Sequence, residues 1–430
     1  MDLKPGYKQT EAGVIPEDWD VNSLSTLCDS ICDGTHFTPD YVANGIPFYS
    51  VENVTANDFS NVKFVSEEEH SRLIKRCKPE RGDILMTRIG SLGDTKLLDW
   101  DVNASIYVSL ALLRPSDRVN PKYLYCYSKS KAFVLDVEKR SLLNATPKKI
   151  NMGDIGSIPI PVPRSLDEQQ AIATALSDVD ALIESLDRLI TKKRQIKQGA
   201  MQELLTGKKR LPGCSGEWEV KLLGDLFDFS GGLSASREQL STEGYCYLHY
   251  GDIHTSNKTF IDVKKEKQDI PKLNIHLKKV SSTSLLESGD VVFVDASEDD
   301  EGTSRHVVIF NEEKIPFISG LHTIVAKSKT NELDYYYRRY CFQINDIKQQ
   351  FRFFAVGTKV SGISKTNIVK ITLLVPPVEE QTSIAAILSD MDVEIAALEE
   401  KLEKSRRVKQ GMMQELLTGR IRLVKPEIKA

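Results

Sequence analysis

A long internal duplication is the feature that most constrains how this chain folds. Residues 167–211 and 379–423 align without gaps at an offset of 212 residues, and 24 of the 45 aligned positions are identical. Segments this similar arise by duplication, and both copies are expected to fold into the same local structure. The sequence therefore predicts two modules within one chain of 430 residues.

Shorter matches precede each long copy. Trp19 in PEDWDVNSL corresponds to Trp218 in SGEWEVKLL, and Asp83 in ERGDILM corresponds to Asp290 in ESGDVVF. The stretches SIPIPVP and ITLLVPP stand directly before the two copies. Each module thus consists of a divergent globular part followed by a matching segment, which indicates a constant frame that carries two different globular parts.

Both copies have the sequence pattern of a long helix. Apolar residues recur at alternating steps of four and three, the a/d spacing that buries one narrow stripe against another helix. Each copy ends at Thr-Gly, and glycine suits the residue after a helix end. Such a stripe also fits a helix that packs on its own globular part, but two matching stripes favour pairing with each other. The predicted seam residues are Ile172, Leu176, Val179, Ile183, Leu186, Ile190, Ile384, Leu388, Met391, Ile395, Leu398 and Leu402.

Charge patterning predicts how the helices pair. The first part of each copy is acidic, with net charges of −5 over 167–191 and −7 over 379–403. The second part is basic, with +6 over 192–211 and +5 over 404–423. Antiparallel pairing places acidic beside basic halves, whereas parallel pairing would place like charges together. The sequence therefore predicts an antiparallel coiled coil with internal pseudo-twofold symmetry.

Short apolar runs, turn signals and helical stretches alternate in both globular parts, which indicates mixed α/β folding in each and an α+β chain overall. We expect strands at 46–54 and 245–253 and helices near 121–138 and 333–354. The expected domains are a first globular domain at 1–165, a central helix at 166–211, a second globular domain at 212–378, a C-terminal helix at 379–423 and a tail at 424–430.

Composition limits the class of protein. The net charge is −4, which excludes a uniformly basic nucleic-acid coat but not local basic patches. The seven cysteines include no CxxC pair, so we expect reduced thiols and no zinc site. The N-terminal MDLKPGYKQTEAG lacks the apolar core of a signal peptide, and no run is apolar enough to span a membrane. These features predict a cytoplasmic protein.

Motifs of common catalytic sites are missing. The sequence has no GxxxxGK[ST] loop, GxGxxG turn, HExxH or GxSxG motif, and no Asn/Asp-Pro-Pro-aromatic run of an adenine methyltransferase. Asp40 with the triplet Glu312-Glu313-Lys314 fits a nuclease pattern only loosely. Histidines at 36, 249, 254, 306 and 322 are scattered. We therefore expect no catalytic residue, no metal site and no cofactor in this chain.

Polar, basic and aromatic residues gather in loops of both globular parts. Short polar side chains beside Arg or Lys suit contacts with base edges and phosphates. An ordinary solvated loop is the competing interpretation for each single residue. The candidates for DNA contact are His36, Thr38, Tyr41, Arg88, Ser91, Lys148, Lys149, His249, Tyr250, Arg305, Lys359 and Lys365.

With the EQ…QELLTG segments in both copies and the opening YKQTEAGVIPEDW, the chain resembles the specificity subunit of type I restriction–modification enzymes over essentially its whole length. The resemblance implies that each globular part reads one half of a split DNA target and that the coiled coil sets the spacer between the halves. The differences between the globular parts imply two different half-sites.

The resemblance also implies partners. Two methyltransferase subunits would dock on the chain, and two restriction subunits would supply translocation and cleavage. S-adenosylmethionine, ATP and magnesium would bind these partners and not this non-catalytic chain. Two other classes remain open on the residues alone: a coiled-coil scaffold or adaptor without DNA binding, and an orphan nuclease.

Overall fold

The computed structural model describes residues 5–142, 144–256, 258–297, 302–357 and 360–424. The chain divides into two compact units, and each unit combines one globular part with portions of both long helices. Unit 1 contains Met1–Asp187 with Glu400–Ala430, and unit 2 contains Arg188–Glu399.

The globular part of unit 1, the first head, has the following elements. Its strands are β1 (Tyr7–Thr10), β2 (Gly13–Pro16), β3 (Trp19–Ser23), β4 (Cys28–Asp33), β5 (Ile46–Tyr49), β6 (Lys63–Val65), β7 (Ile84–Thr87), β8 (Thr95–Leu97), β9 (Ser105–Ile106), β10 (Leu110–Pro115) and β11 (Pro159–Pro163). Its helices are α1 (Leu24–Leu27), α2 (Val51–Ala56), α3 (Glu67–Leu73), α4 (Pro121–Ser128), α5 (Lys131–Arg140) and α6 (Met152–Gly156), and the long helix α7 (Leu166–Leu204) follows.

The globular part of unit 2, the second head, repeats this order with insertions. Its strands are β12 (Glu219–Leu222), β13 (Phe227–Gly231), β14 (Leu240–Ser241), β15 (Tyr245–Leu248), β16 (Phe260–Asp262), β17 (Lys272–Leu273), β18 (Val291–Val294), β19 (Ala296–Ser297), β20 (His306–Phe310), β21 (Phe317–Ser319), β22 (Thr323–Ser328), β23 (Ser361–Gly362) and β24 (Thr372–Val375). Its helices are α8 (Leu223–Leu226), α9 (Tyr250–Thr255), α10 (Val263–Glu266), α11 (Arg338–Cys341), α12 (Asn345–Phe354) and α13 (Lys365–Ile368), and the long helix α14 (Val378–Leu416) follows.

Each head is built on one main sheet, which is antiparallel throughout in the first head and antiparallel except for the β16–β20 pair in the second. In the first head its strand order is β4-β10-β7-β8, and in the second head β22 lies between β13 and β18 in the same way, with β20 and β16 beyond them. A smaller mixed sheet carries β5 in the first head and β15 in the second. The mixed α/β fold that the sequence predicted for each head is confirmed.

The repeated Gly-Asp motif has the same structural role in both heads. Each aspartate is buried and accepts a hydrogen bond of 2.8 Å from the backbone N–H three residues earlier, which closes the turn before a central strand. Asp83 pairs with Arg114 at 2.8 Å, and Asp290 pairs with Lys327 at 2.7 Å. The glycine before each aspartate has a positive φ, a conformation that favours glycine.

Two predicted strands are shorter than expected. The run 46–54 contains only β5 as strand and then turns into α2, because the Asn53 side chain accepts from the backbone N–H of Ser50. The run 245–253 contains β15 and then α9, where the His249 side chain caps the helix by accepting from the N–H of Gly251. The predictions of continuous strands were wrong because local side-chain caps ended them.

The two long helices are 39 residues each, and in both units their segments run antiparallel. In unit 1, Asp180 pairs with Lys409 at 2.5 Å and Asp187 with Arg406 at 3.3 Å, so residue numbers rise on one helix as they fall on the other. The charge pattern predicted this direction correctly.

Unit 2 repeats the same ion pairs at an offset of 212 residues. Asp392 pairs with Lys197, and Glu399 pairs with Arg194 at 2.5 Å. In these pairs each acidic residue of one unit corresponds to an acidic residue of the other, and each basic residue to a basic one. Each unit therefore contains the same contacts between helices, as the duplicated sequence predicted.

The seam residues divide into two groups. Ile172 and Leu176 at the start of α7 belong to the core of the first head, and Ile384 and Leu388 at the start of α14 belong to the core of the second. Of the others, Leu186, Ile190, Ile395 and Leu402 are buried, while Val179, Ile183, Met391 and Leu398 are half-buried. The first turns of each long helix therefore pack on the helix's own head, whereas the later seam residues form the contact between the two helices.

The Glu-Gln pair at the start of each long helix joins that helix to its head and to the other helix's tail. Glu168 is 1% exposed and pairs with Arg422 at 2.7 Å, and Arg422 also pairs with Asp18 at 2.8 Å. Gln169 is equally buried and accepts from the backbone N–H of Asn120 at 2.7 Å. One short motif thus fixes the head, the helix start and the opposite helix end.

Unit 2 has the same arrangement. Glu380 is 1% exposed and pairs with Arg210 at 2.7 Å, and it also accepts from the indole N–H of Trp218 at 2.9 Å. Burial alone would raise the pKa of Glu380, but the bonds from Arg210 and Trp218 outweigh it and hold the pKa below its ordinary value. The glycines that follow the helices, Gly207 and Gly419, have φ of +70° and +68°, as their predicted position after a helix end requires.

One prediction about the cysteines was wrong. Cys32 and Cys77 form a disulfide with their Cα atoms 6.1 Å apart, whereas reduced thiols were expected throughout. The two residues lie 45 positions apart in the sequence, and only folding brings β4 beside the turn after α3. Cys28, Cys126, Cys214, Cys246 and Cys341 are free thiols.

The buried Glu168–Arg422 pair is expected to stabilise unit 1 strongly. Replacing Arg422 by Met would leave the buried carboxylate of Glu168 without its cation, and we expect a loss of about 3 kcal/mol in unfolding free energy. Arg406→Met is the matched control, because Arg406 and its partner Asp187 are about half exposed and such pairs contribute below ~1 kcal/mol. Urea unfolding followed by circular dichroism measures both, and equal losses would contradict the assignment.

Candidate nucleic-acid interface

Loops of the first head meet at one edge of its main sheet. Strand β10 runs antiparallel to β4 and β7, so the ends of β4 and β7 lie beside the start of β10. The loops that leave this edge carry most of the residues predicted to contact DNA in this head. We call this set of loops, residues 34–41, 87–91, 107–109 and 146–150, the first-head loop edge.

Backbone hydrogen bonds hold the first-head loop edge together. Thr35 donates to the carbonyl of Ile106 at 3.1 Å, and Arg88 donates to that of Ser109 at 2.9 Å. Ile150 in turn donates to the carbonyl of Arg88 at 3.0 Å. Segments that are far apart in the sequence thereby form one continuous surface.

The second head forms a matching edge from residues 232–235, 248–255, 294–297, 320–323 and 356–363 as far as the structure describes them, the second-head loop edge. Here Leu233 donates to the carbonyl of Ser319 at 2.7 Å, Asp295 to that of His322 at 3.1 Å and Ile363 to that of Asp295 at 2.7 Å. These bonds repeat those of the first head one for one. The two heads therefore hold their loops with the same backbone frame.

The side chains on this shared frame differ in charge. The backbone position taken by Arg88 in the first head is taken by Asp295 in the second. Arg88 pairs with Asp33 at 3.2 Å, whereas Asp295 lies 3.3 Å from a ring nitrogen of His322. A common scaffold with opposite charges at one point is suited to two different ligand sequences.

A buried carboxylate organises the first-head loop edge. Asp33 is 6% exposed and accepts from Arg76 at 2.5 Å and from Arg88 at 3.2 Å, and His36 lies 3.0 Å away. Burial would raise the pKa of Asp33, but the bonds from Arg76 and His36 outweigh it and lower the pKa. The carboxylate thus remains charged and fixes the cations around it.

An aromatic and histidine cluster marks the second-head loop edge. The ring centroid of Tyr250 lies 4.6 Å from that of His249, 6.3 Å from that of His254 and 5.3 Å from that of His322. Burial, with the nearby Arg237, lowers the pKa of His249. Aromatic and imidazole rings beside an arginine can stack on bases and donate to their edges.

The predicted contact residues differ in exposure. His36, Thr38, Tyr41, Ser91, Lys148, Lys149 and Lys365 are exposed, and Tyr250 and Arg305 are half-buried. Arg88 and His249 are buried, at 9% and 8%, and both hold loop backbone in place. Lys359 lies outside the described residues. DNA contact by any of these residues stays a prediction.

Three residues that belong to these edges or contact them were not predicted from the sequence: Arg76, Arg237 and His322. Arg76 stands in KRCKPE, far from the first-head loops, and nothing in its local pattern points to Asp33. His322 was noticed only as a scattered histidine, yet it has a positive φ of 57° beside Asp295. Long-range folding, which the sequence pattern does not encode locally, brings these residues into place.

Other predicted features can be placed as well. Among the described residues no group of three or more His, Cys, Asp or Glu side chains could hold a metal ion. No helix in that part of the chain is long and apolar enough to cross a membrane. His306 is a core residue, and burial lowers its pKa to about 4.

Comparison with known proteins agrees with this architecture. The family model of the type I restriction modification DNA specificity domain matches the chain twice, over residues 16–197 and 215–405. A putative type I restriction enzyme MjaX specificity subunit of Methanocaldococcus jannaschii is 27% identical over 448 residues and covers 97% of both chains. The MjaVIII specificity subunit of that organism is 23% identical, over 97% of this chain and 96% of its own.

Solved structures show the same fold. The crystal structure of a type I restriction–modification system S subunit from M. genitalium matches with a TM-score of 0.58 at 17% identity, over 96% of this chain and 99% of the other. A structure from a study of complex assembly in the type I system matches with a TM-score of 0.54 at 16% identity, over 95% and 99%. Because two specificity domains account for most of its length, the chain belongs to the type I restriction–modification DNA specificity family.

Proposed function

We propose that this chain is the DNA-recognition subunit of a cytoplasmic type I restriction–modification complex. Each head reads one half of a bipartite target, and the chain itself performs no chemistry. The observation that carries the proposal is the double match of the specificity domain, once over each head. The two loop edges support it, since one backbone frame holds side chains of different charge in the two heads.

The chemistry of the reaction belongs to partner subunits in this proposal. Two methyltransferase subunits bind S-adenosylmethionine and methylate adenine, and two restriction subunits use ATP and magnesium for translocation and cleavage. The mild negative charge of −4 fits a subunit whose DNA contacts are confined to loops. Exposed lysines such as Lys148 and Lys149 supply phosphate contacts, whose contribution falls with salt.

The long helices set the distance between the half-sites. Each helix runs without a break past the boundary between the units, at Asp187 in α7 and at Glu399 in α14. A helix rises ~1.5 Å per residue, and its 39 residues extend about 58 Å. A continuous helix of fixed rise holds two DNA readers at a fixed spacing, as dimer geometry does in other DNA-binding proteins.

A repeated exposed patch on the long helices is the proposed docking surface for the methyltransferase subunits. Gly199 and Gly411 occupy equivalent positions within the last two turns of α7 and α14, are exposed, and have no described atom within 4 Å of an added Cβ. Ile196 and Val408, also equivalent, are both 48% exposed. A glycine inside a helix costs about 1 kcal/mol relative to alanine, and no contact in the described part of the chain requires it in either copy. Close approach of a partner's backbone at each patch explains it.

Exchanging the first head should change one half-site only. Residues 1–165 of another family member would replace those of this chain, with Asp18 and Trp19 retained to keep the contacts of Arg422. Methylome sequencing of cells that carry the exchanged subunit and its methyltransferase should show one altered half-site at the original spacing. Changes in both half-sites would contradict independent reading.

Methylome sequencing, together with duplex-binding and cleavage assays on the purified chain, separates the competing classes. A scaffold without DNA binding would leave no bipartite methylation motif and would show no salt-dependent duplex binding. An orphan nuclease would show metal-dependent cleavage by the purified chain alone.

Lengthening both helices should lengthen the spacer. Four residues inserted after Asp187 and four after Glu399 add about one turn to each helix, or ~6 Å, while the ion pairs within each unit are kept. Methylome sequencing should then show the same half-sites separated by one or two more base pairs, at ~3.4 Å each. An unchanged spacer, or altered half-sites, would exclude the helices as the ruler.

Filling the repeated glycine patch should weaken docking of the methyltransferase. Gly199→Leu with Gly411→Leu adds side chains where the partner's backbone approaches, so copurification of the methyltransferase should fall at least tenfold while thermal stability is kept. Ala181→Leu is the matched control, because residue 181 lies five turns earlier on the same face of α7 and is exposed. Undiminished copurification of the double variant would place the docking surface elsewhere.

A further inference from the structure

Arg76 in the first head is held in a fixed position although half of its side chain is exposed. Its Nη2 donates to the buried Asp33 carboxylate at 2.5 Å, and its Nε donates to the carbonyls of Asp33 and Gly34 at 3.2 and 3.1 Å. The side chain is 53% exposed. An arginine at the surface normally samples many rotamers, so this degree of anchoring has to be explained.

Neighbouring contacts reinforce this position. Arg76 stands directly beside Cys77, and Asp33 stands directly beside Cys32, so the Cys32–Cys77 disulfide joins the two segments that carry the pair. Arg88 binds the other oxygen of Asp33 at 3.2 Å, which fixes the carboxylate from the interior. The guanidinium of Arg76 is therefore held in place by the Asp33 carboxylate, which is itself fixed by Arg88 and by the nearby disulfide.

Part of the guanidinium remains available. The bonds of Arg76 involve Nε and Nη2, and its Nη1 donates to no acceptor in the part of the chain that the structure describes. Beside it on the first-head loop edge lies the exposed His36, whose Nε2 is 3.0 Å from Nη2 of Arg76. A fixed cation with free donors next to an exposed imidazole is an arrangement that can read base edges.

We propose that Arg76 is a specificity-determining residue of the first head and reads a guanine in its half-site. Arginine donates to the O6 and N7 atoms of guanine in the major groove, and this readout requires a fixed donor geometry. Contact with phosphate does not require it, and the exposed Lys148 and Lys149 of the same edge suit that task better. Asp33 and Arg88 are positioning residues, because they act through Arg76 and are themselves buried.

The inference is restricted to the first head and rests on the proposed function. The position equivalent to Asp33 in the second head, two residues before the matching backbone bond, is Gly231, which has no carboxylate. The second head therefore lacks this anchor. A substitution at Arg76 should leave the second half-site unaffected, which provides an internal control within each molecule.

The test uses the complete chain coexpressed with its methyltransferase and read by methylome sequencing. Arg76→Lys keeps the charge but loses the anchored guanidinium and its free Nη1 donors, and we expect one G·C position of the first half-site to become degenerate, with discrimination reduced roughly tenfold to hundredfold. Arg72→Ala is the matched control, since Arg72 is exposed one turn earlier and pairs only with Glu69 in the described residues. That variant should keep the motif unchanged.

Two outcomes would overturn the proposal for Arg76. One is an unchanged motif in both Arg76→Lys and Arg76→Ala. The other is an equal loss of binding to all duplexes in Arg76→Ala with a salt dependence lowered by about one charge, which indicates a phosphate contact. Thermal unfolding of each variant, together with intact methylation at the second half-site, shows that the subunit is folded. If exchange of the whole first head also left the motif unchanged, the proposed function itself would fail.

Discussion

The buried pairs Glu168–Arg422 and Glu380–Arg210 are the interactions on which the rest of this architecture depends. Each joins the first turn of one long helix to the tail that follows the other. A carboxylate at 1% exposure is costly without its cation, so the helix start and the opposite tail must come together for either to be stable. The head packs around this junction through Asp18 or Trp218.

This junction explains why the duplicated segments stayed alike while the heads diverged. The Glu-Gln start of each long helix contacts both its own head and the tail of the other helix, so a change on one side requires a compensating change on the other. The loop edges are free of that constraint. Their backbone bonds are the same in both heads, but Arg88 in one corresponds to Asp295 in the other.

Separate surfaces can therefore serve separate tasks. One face of each long helix is used for ion pairs and seam contacts, whereas Gly199 and Gly411 are exposed, and no described atom lies within 4 Å of a Cβ added at either position. The loop edges lie at the strand ends of the heads. Recognition can change through loop side chains such as Arg76 while the frame that holds partners together stays constant.

The sequence by itself determined the two-module plan, the helices and their antiparallel direction, because hydrophobic spacing and charge order act locally and were present twice. It also located the loops, but not the residues that work together in them. Arg76 reaches Asp33 across 43 positions, and Cys77 reaches Cys32 across 45. Only the tertiary structure decided these contacts, since they depend on strand order and on the packing of distant turns, which no periodic pattern records. Two strands that the apolar pattern extended too far ended for a different, local reason: the side chains of Asn53 and His249 cap the helices that follow.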